Sequence, residues 1–226
     1  MRVLRKEGAR NVKRGAIFDM DGLLFNTERL FQEIWANSAM DFDEEPNYAL
    51  ARAVCGTSGE HLLEIVRSYY PQADASGFVE KVLRQVEKRL SSSKPEFMPG
   101  ALDMIEYLSD QGLKLAIASG SPRHFIEMNL RRSGIDSYFS AIVSGFEVPH
   151  GKPSPDVFLT AAERMGLPAC ECYVFEDGIN GVLAGMAAGC ITVMVPDVAA
   201  PPKDLAASKI CSSLLEAKEL IEAGFL

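Results

Sequence analysis

The 226-residue chain has no run of eighteen consecutive apolar residues and no short apolar segment of the signal-peptide kind. No membrane span is expected, and the expected compartment is the cytoplasm. Cysteine is sparse. The five residues, Cys55, Cys170, Cys172, Cys190 and Cys211, are odd in number and contain no C-x-x-C pair. That argues against a disulfide framework and for reduced thiols. Positive charge is in deficit, with a formal net charge of −8. Nucleic acid and anionic membrane are therefore not expected as partners, because both recruit basic surfaces. The exception is a basic tail over residues 1–14, where Arg2, Arg5, Lys6, Arg10, Lys13 and Arg14 face only Glu7. It reads as a solvated terminus. Internal repeats and low-complexity tracts are also missing. What is present is ordinary globular material, 47% hydrophobic and 24% charged, enough to bury a sizeable core.

From residue 99 onward, helical and strand patterns alternate. "PGALDMIEYLSDQG" reads as a helix between Pro99 and Gly112. "LKLAIAS" is a short buried strand. "SPRHFIEMNLRRSG" predicts a helix with Ser121 as its N-cap and Pro122 at its first position. "AIVSG", "CYVFED" and "ITVMVPD" are further strands, separated by the helical stretches "SPDVFLTAAERMG" and "GINGVLAGMAAG". With "AIFDMD" near the N-terminus this makes five parallel strands with helices on both faces, an α/β fold of the Rossmann-like kind. Residues 28–95 differ. They hold four amphipathic helical patterns and no convincing strand, so they read as a helical insertion. The expected organisation is a discontinuous α/β core over 15–27 and 96–226, a helical block over 28–95, and the tail.

In an open parallel sheet, ligands bind beyond the carboxyl ends of the strands. The first strand ends on Asp19 and Asp21, the second on Ser119 and Gly120, and the "CYVFED" strand on Glu176 and Asp177. The loop after the third carries Lys152. Carboxylates gathered on one rim repel unless a cation is present or some are protonated. Oxygen ligands of this type suit Mg²⁺, held by carboxylates together with a substrate phosphate. A phosphate would also meet Ser119, loop amides and Lys152. One carboxylate is then free to attack phosphorus and another to move a proton. Gly22 gives the turn after the aspartates the freedom to approach a ligand.

"FDMDG", "ASG", "GKPSPDVF" and "VFEDGINGVLAGMAAG", in that order from residue 16 to about 198, resemble the successive motifs of haloacid dehalogenase-like hydrolases. The likeness is to the branch with a helical cap inserted after the first motif, which includes β-phosphoglucomutases and pseudouridine-5′-phosphatase-like enzymes. It implies Asp19 as nucleophile and Asp21 as general acid/base. Ser119 and Lys152 would hold the phosphoryl group. Mg²⁺ would be bound by Asp19, the Asp21 carbonyl and Asp177, with Glu176 either a further ligand or a partner to the ligands, and Thr27 and Glu28 would sit at the hinge where the cap joins. Gly56, Thr57, Ser58 and His61 from the cap, with Gly120 and Arg123 from the core, are the candidates for reading the substrate. Trp35 is expected to be cap core. Haloacid dehalogenases lack the second aspartate, so Asp21 favours phosphoryl chemistry. Mutases carry a histidine and an arginine where this chain has Phe31 and Gly59, which favours hydrolysis. The expectation is a monomeric Mg²⁺-dependent phosphatase of a small phosphomonoester, with a phosphosugar mutase and a non-catalytic binding module as alternatives.

Overall fold

The computed structural model describes residues 13–91, 94–197, 201–202, 205 and 207–226. Residues 1–12 of the basic tail lie outside the described residues. The sheet contains β1 (Gly15–Phe18), β2 (Lys114–Ser119), β3 (Phe139–Ser144), β4 (Cys172–Glu176), β5 (Ile191–Met194) and β6 (Lys209–Ile210). All neighbours are parallel, in the order β3-β2-β1-β4-β5-β6. Six strands replace the five expected. The sixth is two residues long and exposed, too short to carry any alternation of side chains.

Side-chain alternation explains why the central strands are apolar throughout. Phe18, Ile117 and Phe175 face one side of the sheet, and Ile17, Ala118 and Val174 face the other. The first face packs under α5 (Ala101–Asp110), α6 (Arg123–Ser133) and α9 (Leu214–Glu222). The second packs under α7 (Asp156–Met165) and α8 (Ile179–Ala187). The chain winds outward from β1 in both directions, so the order reverses between β1 and β4. That reversal opens a crevice at their carboxyl ends.

The segment after β1 leaves the sheet and returns. It forms α1 (Glu28–Ser38), α2 (Tyr48–Val54), α3 (Gly59–Tyr69) and α4 (Ala75–Leu90). In α4 the residues Phe78, Val82, Val86 and Leu90 recur every four positions and make one buried stripe. They share an apolar cluster with Trp35, Leu50, Val54, Leu62 and Val66, and Phe125 of α6 completes it. Asn47 and Asp74 cap α2 and α4 by accepting the Leu50 and Gly77 amides at 3.0 and 3.1 Å. The outgoing and returning segments run side by side. The Asn26 amide donates to the Glu96 carbonyl, the Met98 amide donates to Leu24, and the Phe25 and Phe97 rings lie 5.3 Å apart.

Candidate active site

β1 ends at Phe18, and the Asp19 amide continues the ladder by donating to the Phe175 carbonyl at 3.0 Å. The chain then turns through Gly22, whose φ of +81° lies in the left-handed region. A Cβ at this position would also stand 2.5 Å from Asp177 Oδ2, so the turn needs glycine twice over. Asp19 and Asp21 are thereby fixed, both buried, at the crevice.

Lys152 is 2% exposed, which for an ammonium demands partners. Its Nζ donates to Asp19 Oδ1 and Glu176 Oε1, each at 2.5 Å, and to the Ala118 carbonyl at 3.0 Å. Burial works against its charge, but Asp19 and Glu176 more than offset that and hold its pKa above the ordinary lysine value. Glu176 also accepts the Asp177 and Gly178 amides. It fits against α8 only because residue 181 is glycine, where any Cβ would collide with its carboxylate.

Three hydroxyls converge on Asp21. Thr27 donates to Oδ1 at 2.6 Å, and Ser121 and Ser119 donate to Oδ2 at 2.7 and 3.3 Å. Burial, and then the charge of Asp19, push the Asp21 carboxyl up to about 7. Such a group can hold or release a proton near neutrality.

Asp177 accepts no hydrogen bond from a described residue. Burial, then the neighbouring Glu176 charge, raise its carboxyl well above the usual aspartate value. One oxygen each from Asp19, Glu176 and Asp177 lie within 4.8 Å of one another. An all-carboxylate set that carries more charge than Lys152 neutralises fits a hard cation with oxygen ligands.

The profile of haloacid dehalogenase-like hydrolases matches residues 16–195, most of the chain. The chain belongs to that family. Hexitol phosphatase B of Escherichia coli (strain K12) is 30% identical over 91% of this chain and 96% of its own. A probable pseudouridine-5′-phosphatase of Drosophila melanogaster is 32% identical over 80% of each chain. The putative β-phosphoglucomutase from Bacteroides vulgatus is 25% identical, with a TM-score of 0.78 over 93% of this chain and 88% of that one. The chain is an enzyme of the phosphatase kind within the haloacid dehalogenase-like hydrolases.

In this haloacid dehalogenase-like hydrolase a cavity of about 390 Å³ lies over the acids. Asp19, Asp21, Ser119, Gly120, Glu176 and Asp177 form one end, and Gly56 and Thr57 line it from the helical block. Lys152 stands behind Asp19 and does not itself line the cavity. Ser58 is fully buried beside Gly145 and Gly151, outside the cavity lining.

Two further expected residues also lie outside the cavity lining. His61 sits on the side of α3 away from the buried Leu62 and Val66, with Nδ1 3.6 Å from Glu64. Arg123 is held at 3.0 and 3.2 Å by the Glu147 carboxylate and at 2.9 Å by Glu127, outside the cavity. Trp35 belongs to the apolar cluster of the helical block, as expected, and also lines the cavity.

Ser121 was expected to cap α6. Pro122 holds that position instead, and the Ser121 hydroxyl is spent on Asp21. Sequence reasoning also missed the wall formed by Gln32, Cys55 and Phe125. Nothing in their spacing marks them, because they come from three elements that meet only in the fold.

Proposed function

We propose that the protein is a Mg²⁺-dependent phosphatase that hydrolyses a small phosphomonoester through a phosphorylated Asp19. The observation that carries this is the pairing of Asp19 with Lys152 beside the Asp19–Glu176–Asp177 cluster, with the hydroxyl-bound Asp21 on the far side of the same crevice. Asp19, Glu176 and Asp177 would hold the ion, together with the Asp21 carbonyl. Bound there, Mg²⁺ supplies positive charge that offsets the carboxylates and the phosphoryl oxygens.

The rest is done by side chains. Lys152 fixes one Asp19 oxygen by hydrogen bond, and the other oxygen attacks phosphorus. The bond from phosphorus to the leaving oxygen breaks, and Asp21 gives its proton to that oxygen. Water then attacks the phosphoryl group on Asp19 and returns a proton to Asp21. The new bond from water to phosphorus replaces the one to Asp19, and phosphate leaves. Ser119 and the amides that follow β2 face the phosphoryl oxygens. The helical block acts as the cap that closes this crevice from water. A reducing compartment such as the cytoplasm suits the five unbridged thiols, one of which, Cys55, lines the cavity.

Hydrolysis is favoured over phosphoryl transfer between positions of a sugar. A mutase must grip a second phosphate, and the apolar Phe31 stands at the cavity wall where such enzymes carry a histidine. The test is phosphate release from a panel of sugar, polyol and nucleoside phosphates with Mg²⁺, repeated with Asp19→Asn. The variant is expected to lose activity by more than about a thousandfold while staying folded. Full activity in Asp19→Asn would falsify the covalent route.

A further inference from the structure

The end of the cavity away from the acids has a different chemistry. Its walls are Phe31, Trp35, Leu62, Leu83, Val86 and Phe125. Three of the polar side chains that line the cavity from the helical block are already engaged, and the exposed Arg52 is not among them. The Thr57 hydroxyl donates to the Val54 carbonyl at 2.7 Å. Gln32 donates to Glu28 at 3.3 Å, and the Cys55 thiol donates to the same carboxylate. Burial, then the Glu28 charge, hold that thiol protonated, so it stays a donor committed to Glu28. Away from Arg52, a substrate with a string of hydroxyls would have to break these bonds or leave its own hydroxyls unpaired against apolar walls. The volume, about 390 Å³, is of the size that encloses a ligand with a ring system. A glycerol body would leave most of it unfilled. Asn180 lines the same cavity, half-buried, and makes no hydrogen bond to a described residue. Its amide can both donate and accept, the pattern that reads the polar edge of a heterocycle.

Resting on the phosphatase reading above, we infer that the leaving group carries a planar heteroaromatic ring, stacked against the Phe31 and Trp35 side of the cavity and read at its edge by Asn180. The substrate class is then a nucleotide-like phosphomonoester, not a polyol or open sugar phosphate. The relatives do not decide this, since they include both a hexitol phosphatase and a probable pseudouridine-5′-phosphatase.

The full chain with Mg²⁺ is assayed for phosphate release from flavin mononucleotide, the nucleoside 5′-monophosphates, sorbitol 6-phosphate, glycerol 3-phosphate and acetyl phosphate. The best ring substrate is expected to exceed the best polyol phosphate in kcat/KM by about tenfold or more. Phe31→Ala is expected to shrink that ratio about fivefold, mainly through KM for the ring substrate. A polyol phosphate that equals or beats every ring substrate overturns the inference. So does an unchanged ratio in a folded Phe31→Ala. Should that variant not fold, the wild-type ranking still decides. Absence of release from every compound, acetyl phosphate included, sinks the phosphatase reading itself, an outcome distinct from a reversed ranking.

Discussion

Asp21 is held by three hydroxyls: Thr27 before α1, Ser119 at the end of β2 and Ser121 just after it. A proton-transfer group works only if its oxygen is aimed, and Ser121 supplies the shorter of the two bonds to Oδ2. Ser121→Ala leaves Thr27 and Ser119 in place, so the carboxyl stays bound but loses its aim. kcat should fall by about tenfold, roughly the worth of one charge-assisted hydrogen bond. Mg²⁺ affinity should hardly change, because the Asp21 side chain is outside the three-carboxylate cluster. Steady-state kinetics and a Mg²⁺ titration separate the two effects. The clustered carboxylates were legible in the sequence because they stand at strand ends, where apolar runs stop. The part played by Ser121 is hidden in the sequence because a Ser-Pro pair before a helix has the same local pattern whether the hydroxyl caps the helix or serves a carboxylate. His61 and Arg123 lie outside the cavity lining for a related reason. Their nearness in sequence to the motifs said nothing of helix phase or of the Glu147 carboxylate that holds Arg123.

Among the elements, the long ones were readable from Pro and Gly punctuation and from periodicity. β6, two residues long, and α9 after it were not. Equally hidden was how the helical block seats on the sheet. The segment Gly56–Thr57–Ser58 lies against three core glycines. A Cβ at Gly120 would come within 3.1 Å of the Gly56 carbonyl, and a Cβ at Gly145 or Gly151 would collide with Ser58 Oγ. Ser58 stands at the N-cap position of α3 but makes no capping bond, and its buried hydroxyl has no partner among the described residues. Its role is shape: it fills the gap between the loops that follow β3 and precede Lys152. Gly145→Ala should therefore lift the segment from Gly120 and lower kcat/KM by roughly tenfold, an overpacking cost of about 1–2 kcal/mol. Ser58→Gly added to Gly145→Ala removes the colliding atoms and should restore most of the loss. Kinetics and melting midpoints of both single variants and the double variant close the cycle. If the double variant is as impaired as the sum of the singles, the seating by shape is wrong.

For the whole molecule, the sheet is apolar on both faces and its unfavourable charge is concentrated at one point, the carboxyl ends of β1 and β4. Asp19, Glu176 and Asp177 lie together with Asp21 and Glu28 nearby, and Lys152 is the ammonium that answers them. Without a cation the folded state carries this repulsion, whereas the unfolded chain, with its carboxylates apart in water, does not. A cation that binds only the folded state should stabilise the protein even with no substrate, by about 2.7 kcal/mol at a hundredfold excess over its dissociation constant. Of the three clustered carboxylates, Asp177 has no hydrogen bond to lose among the described residues, so Asp177→Asn isolates the electrostatic cost. In EDTA the variant should melt above the wild type, a gain of about 1 kcal/mol of the kind seen when a functional strain is removed. With Mg²⁺ the order should reverse. The wild type should gain its stabilisation, and the variant should gain little and hydrolyse phosphate poorly. Scanning calorimetry of both proteins with EDTA and across a Mg²⁺ series gives the four midpoints. Equal Mg²⁺ shifts in the two would place the ion away from Asp177. A variant that melts below the wild type in EDTA would mean that the Asp177 carboxylate supports the metal-free fold.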